Sequence, residues 1–448
     1  MEYLPNILFA VTLIISIGFF ARNVKKLTRN IKLGKEVDVS DKKPQRWKNM
    51  AKIALGQTKM VVRPISGFLH ILVYVGFIII NLEVLEIIID GLLGTHRVFA
   101  PLGNVYNILI ASFEILAFLV IVAVIIFWIR RNVIKLQRFI KPEMKGWPKN
   151  DANLILYIEL VLMSLFLTMN AADFQLQQLG AAHYTQAGSF PISQYLIPLF
   201  EGMSTQSLIL IERSAWWLHI VGILFFLNYL YYSKHLHILL AFPNTYFGKL
   251  DAKGKLRNLD SVTQEVMLMM DPDADPYATP VEELPGNEAA VAEPEKFGAS
   301  DVADLNRVQL LNAYTCTECG RCTSECPANI TGKKLSPRKI MMDTRDRLEE
   351  VGANLDANKG SFVDDGKQLL DDYITREELW ACTSCNACTE ACPVSIDPLS
   401  IIMDMRQYLV MEQSAAPSDL NNMMGNIENN GAPWPFNQMD RLNWKDET

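Results

Sequence analysis

Eight cysteines form two short runs in the C-terminal third of the chain, and the chain has no others. Each run has the spacing Cys-x2-Cys-x2-Cys-x3-Cys-Pro, which is typical of proteins that bind two 4Fe-4S clusters. Thiolates are soft ligands that suit iron–sulfur clusters, and short loops between the first three can wrap three corners of a cubane. The first run is Cys316, Cys319, Cys322 and Cys326, and the second is Cys382, Cys385, Cys388 and Cys392.

In such paired runs the fourth cysteine of each run ligates the cluster of the other run. A pair of zinc knuckles or a disulfide framework is the alternative, but zinc sites usually use two separated pairs of cysteines. We therefore predict two clusters with crossed ligand sets. Cluster one is assigned to Cys316, Cys319, Cys322 and Cys392, and cluster two to Cys382, Cys385, Cys388 and Cys326.

The length and composition of the sequence indicate a membrane protein of more than one domain. Its 448 residues have room for two or three domains, half of them are hydrophobic, and the mean hydropathy is positive. Because both runs use every cysteine, none remains for a disulfide, which fits a reducing compartment. The net charge of -7 implies no nucleic-acid partner.

Five apolar stretches predict membrane-spanning helices at residues 4–20, 65–89, 107–128, 153–169 and 214–240. Residues 22–64 carry thirteen Lys or Arg, and further basic residues follow the third stretch, whereas residues 171–212 carry none. Since cytoplasmic loops are the ones enriched in Lys and Arg, we predict a multi-pass protein. Its N-terminus is outside and the cysteine runs are in the cytoplasm.

Four of the six histidines lie on the predicted spans or at their ends, where ionisable groups favour a functional role. His70 lies one or two turns inside the second span from the cytoplasmic side, and His237 has the same depth on the fifth. Two imidazoles on facing helices can hold a haem b. We therefore predict His70 and His237 as its ligands. His235 would point about 160° away from His237 on a continuous helix and is the alternate ligand.

His219 precedes His237 by eighteen residues, so a continuous helix would place both on one face, roughly 27 Å apart. The matching outer position on the second span is Ile80, which offers no histidine partner. His219 is therefore predicted to serve either a second haem with an unusual ligand or a quinone. Three carboxylates near the outer end of the second span could handle protons for a quinol, or simply lie at a wet helix end: Glu83, Glu86 and Asp90.

The predicted domains are a membrane domain at 1–245, an acidic linker at 246–300, a helical two-cluster domain at 301–415 and a docking tail at 416–448. A disordered end is the alternative for the tail. In the cluster domain, Asp301 and Thr375 are predicted to cap the helices that lead into the two cysteine runs. Asp397 and Pro398 are predicted to open the helix after the second run. The expected fold class is therefore an all-α membrane protein with a mostly helical two-cluster domain.

The membrane half resembles the gamma subunit of respiratory nitrate reductase and the cytochrome b subunit of membrane heterodisulfide reductase. These have five spans, with haem-ligand histidines on the second and fifth, and the likeness extends only to His70, His219 and His237. Residues 232–244, 378–385 and 432–444 are more specifically similar to membrane iron–sulfur oxidoreductases. Those proteins fuse such a cytochrome b-like bundle to a heterodisulfide reductase-like or glycolate oxidase-like ferredoxin.

The resemblance implies the membrane subunit of a respiratory oxidoreductase in the cytoplasmic (inner) membrane of a bacterium. Such a subunit relays electrons between menaquinone or another quinone, haem b, two 4Fe-4S clusters and a cytoplasmic partner. The implied partners are a separate iron–sulfur subunit with Cys-Cys-Gly domains, docked near the tail, and an electron-transfer flavoprotein. Two alternatives remain open: a non-catalytic anchor and electron wire with no quinone site of its own, and an anchor that holds no haem.

Overall fold

The computed structural model describes residues 3–271 and 296–446. Within these ranges the regular elements are helices, and the only β-pairing consists of isolated bridges. This confirms the prediction of an all-α protein. Most of the acidic stretch in the predicted linker, residues 272–295, lies outside the described residues.

The N-terminal half contains five helices that are long and apolar enough to cross a membrane, which confirms the five predicted spans. Each of the first four begins before or at its predicted start and runs past its predicted end, and a short helix α2 lies in the first loop. The helices of this half are α1 (Leu4–Ile31), α2 (Lys43–Met50), α3 (Pro64–Leu93), α4 (Asn104–Asn132), α5 (Trp147–Gln178) and α6 (Thr205–Tyr229).

The fifth span departs from its prediction. Residues 214–240 are predicted to form one helix, but α6 stops at Tyr229 and a 3-10 turn follows. The chain is extended at Ser233, and a new helix α7 (His237–Phe247) contains Pro243. A distant residue stabilises the break, because the Asp151 carboxylate of α5 accepts hydrogen bonds from the Tyr229 hydroxyl at 2.5 Å and the Lys234 backbone N–H at 3.1 Å. The continuous helix face expected for His219 and His237 is therefore wrong.

The C-terminal half is built from short helices around the cysteine runs. Thr375 caps its helix as predicted, and Asp397 caps the helix that starts at Pro398. Asp301 caps only a 3-10 turn, whereas Asn306 caps the helix that leads into Cys316, which corrects that prediction. The helices are α8 (Asp260–Met270), α9 (Arg307–Thr315), α10 (Arg321–Ser324), α11 (Pro327–Ile330), α12 (Pro337–Ala357), α13 (Leu369–Asp372), α14 (Arg376–Trp380), α15 (Ala387–Ala391), α16 (Pro398–Met411) and α17 (Ser418–Asn430).

The cluster domain packs directly on one end of the bundle, because α1 continues past its apolar part into that domain. Asn30, on the last turn of α1, is buried and donates to the Tyr314 hydroxyl at 2.9 Å. A Cβ on Gly352 of α12 would lie only 2.5 Å from the Asn30 side chain, so helix and domain approach closely there. The fully buried Arg338 pairs with Glu143 of the α4–α5 loop at 2.7 Å. The opposite end of the bundle is called the far end below.

Gly298 provides a test of the packing inside the cluster domain. Its φ is +72°, and a Cβ there would overlap the Asp404 carbonyl oxygen and lie 2.5 Å from the Tyr408 nitrogen, both in α16. We expect Gly298→Ala to destabilise the domain by about 2–3 kcal/mol, since strain and backbone overlap add. Thermal loss of cluster absorbance measures this. Gly425→Ala, on α17 with open space around it, is the control, and equal melting of both variants would contradict the packing.

Candidate functional site

Four cysteines from both runs line one cavity inside the cluster domain. They are the three leading cysteines of the first run together with the last cysteine of the second: Cys316, Cys319, Cys322 and Cys392. Cys326, although it is nearer in sequence, does not line this cavity. The crossed set predicted for cluster one is therefore assembled in space, and its chemistry suits a 4Fe-4S cube.

The remaining four cysteines gather around the second run. The pKa of the Cys382 thiol is raised by burial and further by the neighbouring Cys326 and Cys385, which is the set predicted for cluster two together with Cys388. Cys385 is the exposed member. Among the described residues no three His, Cys, Asp or Glu side chains converge tightly enough for a single metal ion.

The two cysteine loops have the same backbone conformation. Positive φ angles occur two and four residues after the first cysteine in both runs, at Glu318 and Gly320 and again at Ser384 and Asn386. Such turns aim backbone N–H groups inward, and hydrogen bonds to sulfur tune cluster potentials. The Ser384 backbone donates to the Cys382 sulfur at 3.4 Å. The repeat in sequence is therefore also a repeat in structure.

Burial and positive charge set the electrostatics of the cluster-one cavity. Burial raises the pKa of the Cys316 thiol to about 12, and burial with the neighbouring Cys319 raises that of Cys392 to about 11. Metal ligation requires thiolates, so loading iron releases protons and is favoured by nearby cations. Burial lowers the pKa of Arg138 to about 10, and the Cys319 thiolate opposes that shift. Because Arg138 is in the α4–α5 loop, cluster one is predicted to lie on the bundle side.

His70 and His237 lie next to each other at the cluster-side end of the bundle. Their ring centroids are 6.5 Å apart and their planes are inclined by 43°. Two imidazoles that would bind the same metal ion, with metal–nitrogen bonds of about 2 Å, would have ring centroids roughly 6 Å apart, so the two residues could hold such a group. The Nδ1 of His237 is 2.9 Å from the Lys234 carbonyl oxygen. That contact orients the ring and leaves Nε2 for a metal.

His235 lies beside this pair because the helix is broken here. Its ring centroid is 5.6 Å from that of His237, so the opposed directions predicted on a continuous helix are wrong. Its Nε2 is 3.9 Å from a Glu159 carboxylate oxygen of α5. His235 therefore has a different environment from His237, whose Nδ1 meets a backbone carbonyl.

His219 is buried in the middle of the bundle, away from the pair formed by His70 and His237. Its Nδ1 is 3.0 Å from the Leu162 carbonyl oxygen, and Phe166 is its ring neighbour at 5.9 Å. Ile80 is buried in the apolar core that also contains Phe166 and Ile220. The structure thus offers His219 a fixed ring orientation, but among the described residues no histidine ring is placed against it.

A polar cavity of about 570 Å³ opens at the far end of the bundle. Glu83 is almost fully buried there, and its Oε2 has no hydrogen-bond partner among the described residues. Glu86 accepts from the Tyr106 hydroxyl at 2.9 Å. One turn along α6 from His219, Trp216 forms part of the wall. The lining includes Glu83, Glu86, Asp90, His96, Arg97, Asp173, His183, Glu212, Arg213, Trp216 and Trp217.

The sequence reading missed the network that shapes this cavity. Arg97 is buried and donates to Asp173 at 2.6 Å, to the Tyr106 hydroxyl at 3.0 Å and to Asn170 at 3.1 Å. Although burial disfavours its charge, Asp173 holds the pKa of Arg97 above its usual range. His96 also contacts Asp173, at 3.0 Å. Arg97 was visible in the sequence as the one basic residue of its loop, but its partners are distant along the chain.

Comparisons with known proteins agree with this architecture. The family of 4Fe-4S dicluster domains matches residues 315–396. The probable iron–sulfur-binding oxidoreductase FadF of Bacillus subtilis is 30% identical over 98% of this chain and 61% of its own length. The EtfAB:quinone oxidoreductase of Syntrophomonas wolfei is 26% identical over 92% of this chain and 55% of its own length. The chain thus spans little more than half the length of these two relatives.

A shorter likeness covers part of the chain. A probable membrane-anchored ferredoxin of Chromohalobacter salexigens is 32% identical over 33% of this chain and 24% of its own length. No solved structure matches the chain. The chain is therefore similar to iron–sulfur oxidoreductases, and it has a 4Fe-4S dicluster domain and, among its described residues, five helices that could cross a membrane.

Proposed function

We propose that this protein is the membrane subunit of a respiratory oxidoreductase that relays electrons between a quinone, one haem b and two 4Fe-4S clusters. One observation carries the proposal: His70 and His237 meet at the same end of the bundle on which the cluster-one cavity rests. An electron carrier in the membrane part would therefore neighbour the first cluster. The bound groups supply one-electron chemistry, and the protein sets their spacing and surroundings.

The order of the two clusters follows from their exposure. The cluster-one loop is pressed against the bundle, since a Cβ on Gly320 would lie 3.2 Å from the Arg138 side chain. Cys385 of the second set is exposed. We therefore infer that cluster two faces a soluble partner. Because one relative is named an EtfAB:quinone oxidoreductase, an electron-transfer flavoprotein is one candidate for this soluble partner. A separate iron–sulfur subunit with Cys-Cys-Gly domains is another candidate.

We place the quinone head group in the far-end cavity. A quinone takes up two electrons and two protons when it becomes a quinol, so its site needs proton-carrying groups within a shaped cavity. Glu83 offers a buried carboxylate oxygen that has no hydrogen-bond partner in the described part of the chain, and Trp216 and Trp217 offer aromatic walls. His219 is one helical turn further along α6 from Trp216. We therefore include His219 in the proposal as a residue that serves the quinone.

The orientation in the membrane remains a prediction from the basic loops. With thirteen Lys or Arg in residues 22–64, the cluster domain is expected in the bacterial cytoplasm and the far-end cavity on the outer side of the inner membrane. An impermeant amine reagent tests this orientation, because it should label the lysines of residues 22–64 in inverted vesicles but not in intact cells.

Quinol-driven haem reduction by the purified protein, without a partner, tests the proposal. We expect a reduced menaquinone analogue to reduce the haem in the wild type. We expect Glu83→Gln to slow that reaction about a hundredfold, because general acid–base groups contribute on this scale. Glu201→Gln removes an exposed carboxylate in the α5–α6 loop and is the matched control.

The alternative reading is a non-catalytic anchor and electron wire, and the same experiment separates the two. A protein with full haem and iron content that quinol cannot reduce would support the wire. An equal rate in the wild type and Glu83→Gln would keep quinone chemistry but remove it from the far-end cavity.

A further inference from the structure

A buried ion pair joins the histidine segment of the membrane domain to the cluster-one loop. Lys234 lies between α6 and α7, and its Nζ donates to a Glu318 carboxylate oxygen at 2.5 Å and to the Pro148 carbonyl oxygen at 2.6 Å. Glu318 lies between Cys316 and Cys319 in the sequence. The side chains of Lys234 and Glu318 are only 8% and 3% exposed, so solvent screens their interaction little.

Lys234 contacts both candidate redox sites with different groups. Its backbone carbonyl oxygen meets the Nδ1 of His237 at 2.9 Å, and its side chain holds Glu318. Its backbone N–H is itself fixed by Asp151 of α5 at 3.1 Å. On the other side, Arg345 of α12 donates to Glu318 at 2.9 Å. The segment that carries His237 is thus linked to the cysteine loop through one residue.

Stability alone does not account for this pair. Desolvating two charges is costly, and replacing a buried ion pair by apolar side chains of similar volume is often neutral or stabilising. Glu318 also has an uncommon backbone conformation, with a φ of +54°. The distinctive property of the pair is geometric, because it joins two segments that are distant along the chain, and a further contact holds each partner: the Pro148 carbonyl for Lys234 and Arg345 for Glu318.

We propose that Lys234 and Glu318 are positioning residues that fix the separation between His237 and cluster one, and with it the rate of electron transfer between them. The inference rests on the proposed function for the identity of the two centres. In the step concerned, one electron leaves one centre and enters the other, with no proton transferred and no bond formed. A displacement of about 1 Å at a reacting centre can cost up to 10²-fold in rate.

The test compares Lys234→Met and Glu318→Gln with the wild type. We expect full haem and iron content, an unchanged haem spectrum and an intramolecular electron-transfer rate, measured after a reducing flash, that falls about tenfold or more. Lys234→Arg keeps the charge and should retain most of the rate. Glu36→Gln breaks the exposed pair with Arg307 that also bridges the two domains, and it should leave the rate unchanged. Wild-type rates in both test variants would overturn the proposal.

Hydrogen exchange gives a second readout that needs no loaded cofactor. In Glu318→Gln we expect backbone amides of residues 232–238 and 316–320 to exchange severalfold faster, while those of α4 keep their rates. Unchanged exchange in both segments would also overturn the positioning role. If the wild type binds no haem, or its centres exchange no electrons, the proposed function fails, whereas the exchange experiment still decides whether the pair links the two segments.

Discussion

Cys392→Ser is expected to abolish cluster one and leave cluster two in place, although Cys392 belongs to the second cysteine run. The reason is spatial: Cys392 lines the same cavity as the first three cysteines of the other run. Serine oxygen is a hard ligand that suits iron–sulfur clusters poorly. Iron content should fall from about eight to about four atoms per chain, and one of two interacting paramagnetic signals should disappear from the reduced protein.

The reciprocal variant makes the experiment specific. Cys326→Ser should abolish cluster two and keep cluster one, because Cys326 does not line the cluster-one cavity. Thr317→Val changes a residue inside the first loop that is not a proposed ligand and should retain both clusters. If Cys392→Ser instead removed the cluster held by Cys382, Cys385 and Cys388, each run would bind its own cluster and the crossed assignment would be wrong.

The two centres differ in how much the sequence could reveal about them. The paired cysteine runs predicted which four side chains line one cavity, because short loops bring the first three together and the fourth ligand in such pairs comes from the other run. The helix break at Ser233 could not be predicted in this way, since it depends on Asp151, more than eighty residues earlier. The structure nevertheless brings His70 and His237 together. The pairing of His70 with His237 rested on their equal depth in the predicted spans, and it does not depend on the fifth span being one continuous helix.

The far-end cavity shows the other limit of sequence reading. The sequence does indicate three of its carboxylates, because they follow one another on a single predicted helix: Glu83, Glu86 and Asp90. The polar network beside them depends on Arg97 and Asp173, which are 76 residues apart. Neither residue belongs to a motif, and the first lies in a loop with a φ of +53°. Local patterns thus predicted the helices and the cysteine ligands, whereas long-range polar contacts required the structure.

His70→Ala and His237→Ala are expected to abolish haem b binding. Each removes one ring of the pair whose centroids are 6.5 Å apart, and an iron that loses an axial ligand is held far more weakly. A pyridine haemochrome assay should find about one haem per wild-type chain and below about one tenth of that in either variant. The dithionite-reduced minus oxidised spectrum should lose its haem bands while iron–sulfur absorbance remains.

Two further histidine variants decide between the remaining assignments. His235→Gln should keep the haem, because His235 faces Glu159, and His219→Gln should keep it while weakening the reaction with quinol. Loss of haem in His235→Gln but not in His237→Ala would move the ligand to His235. Two haems per wild-type chain would require a second ligand for His219, whereas the matching position on the second span is the buried Ile80, which cannot bind iron. No haem in the wild type would reduce the membrane domain to an anchor.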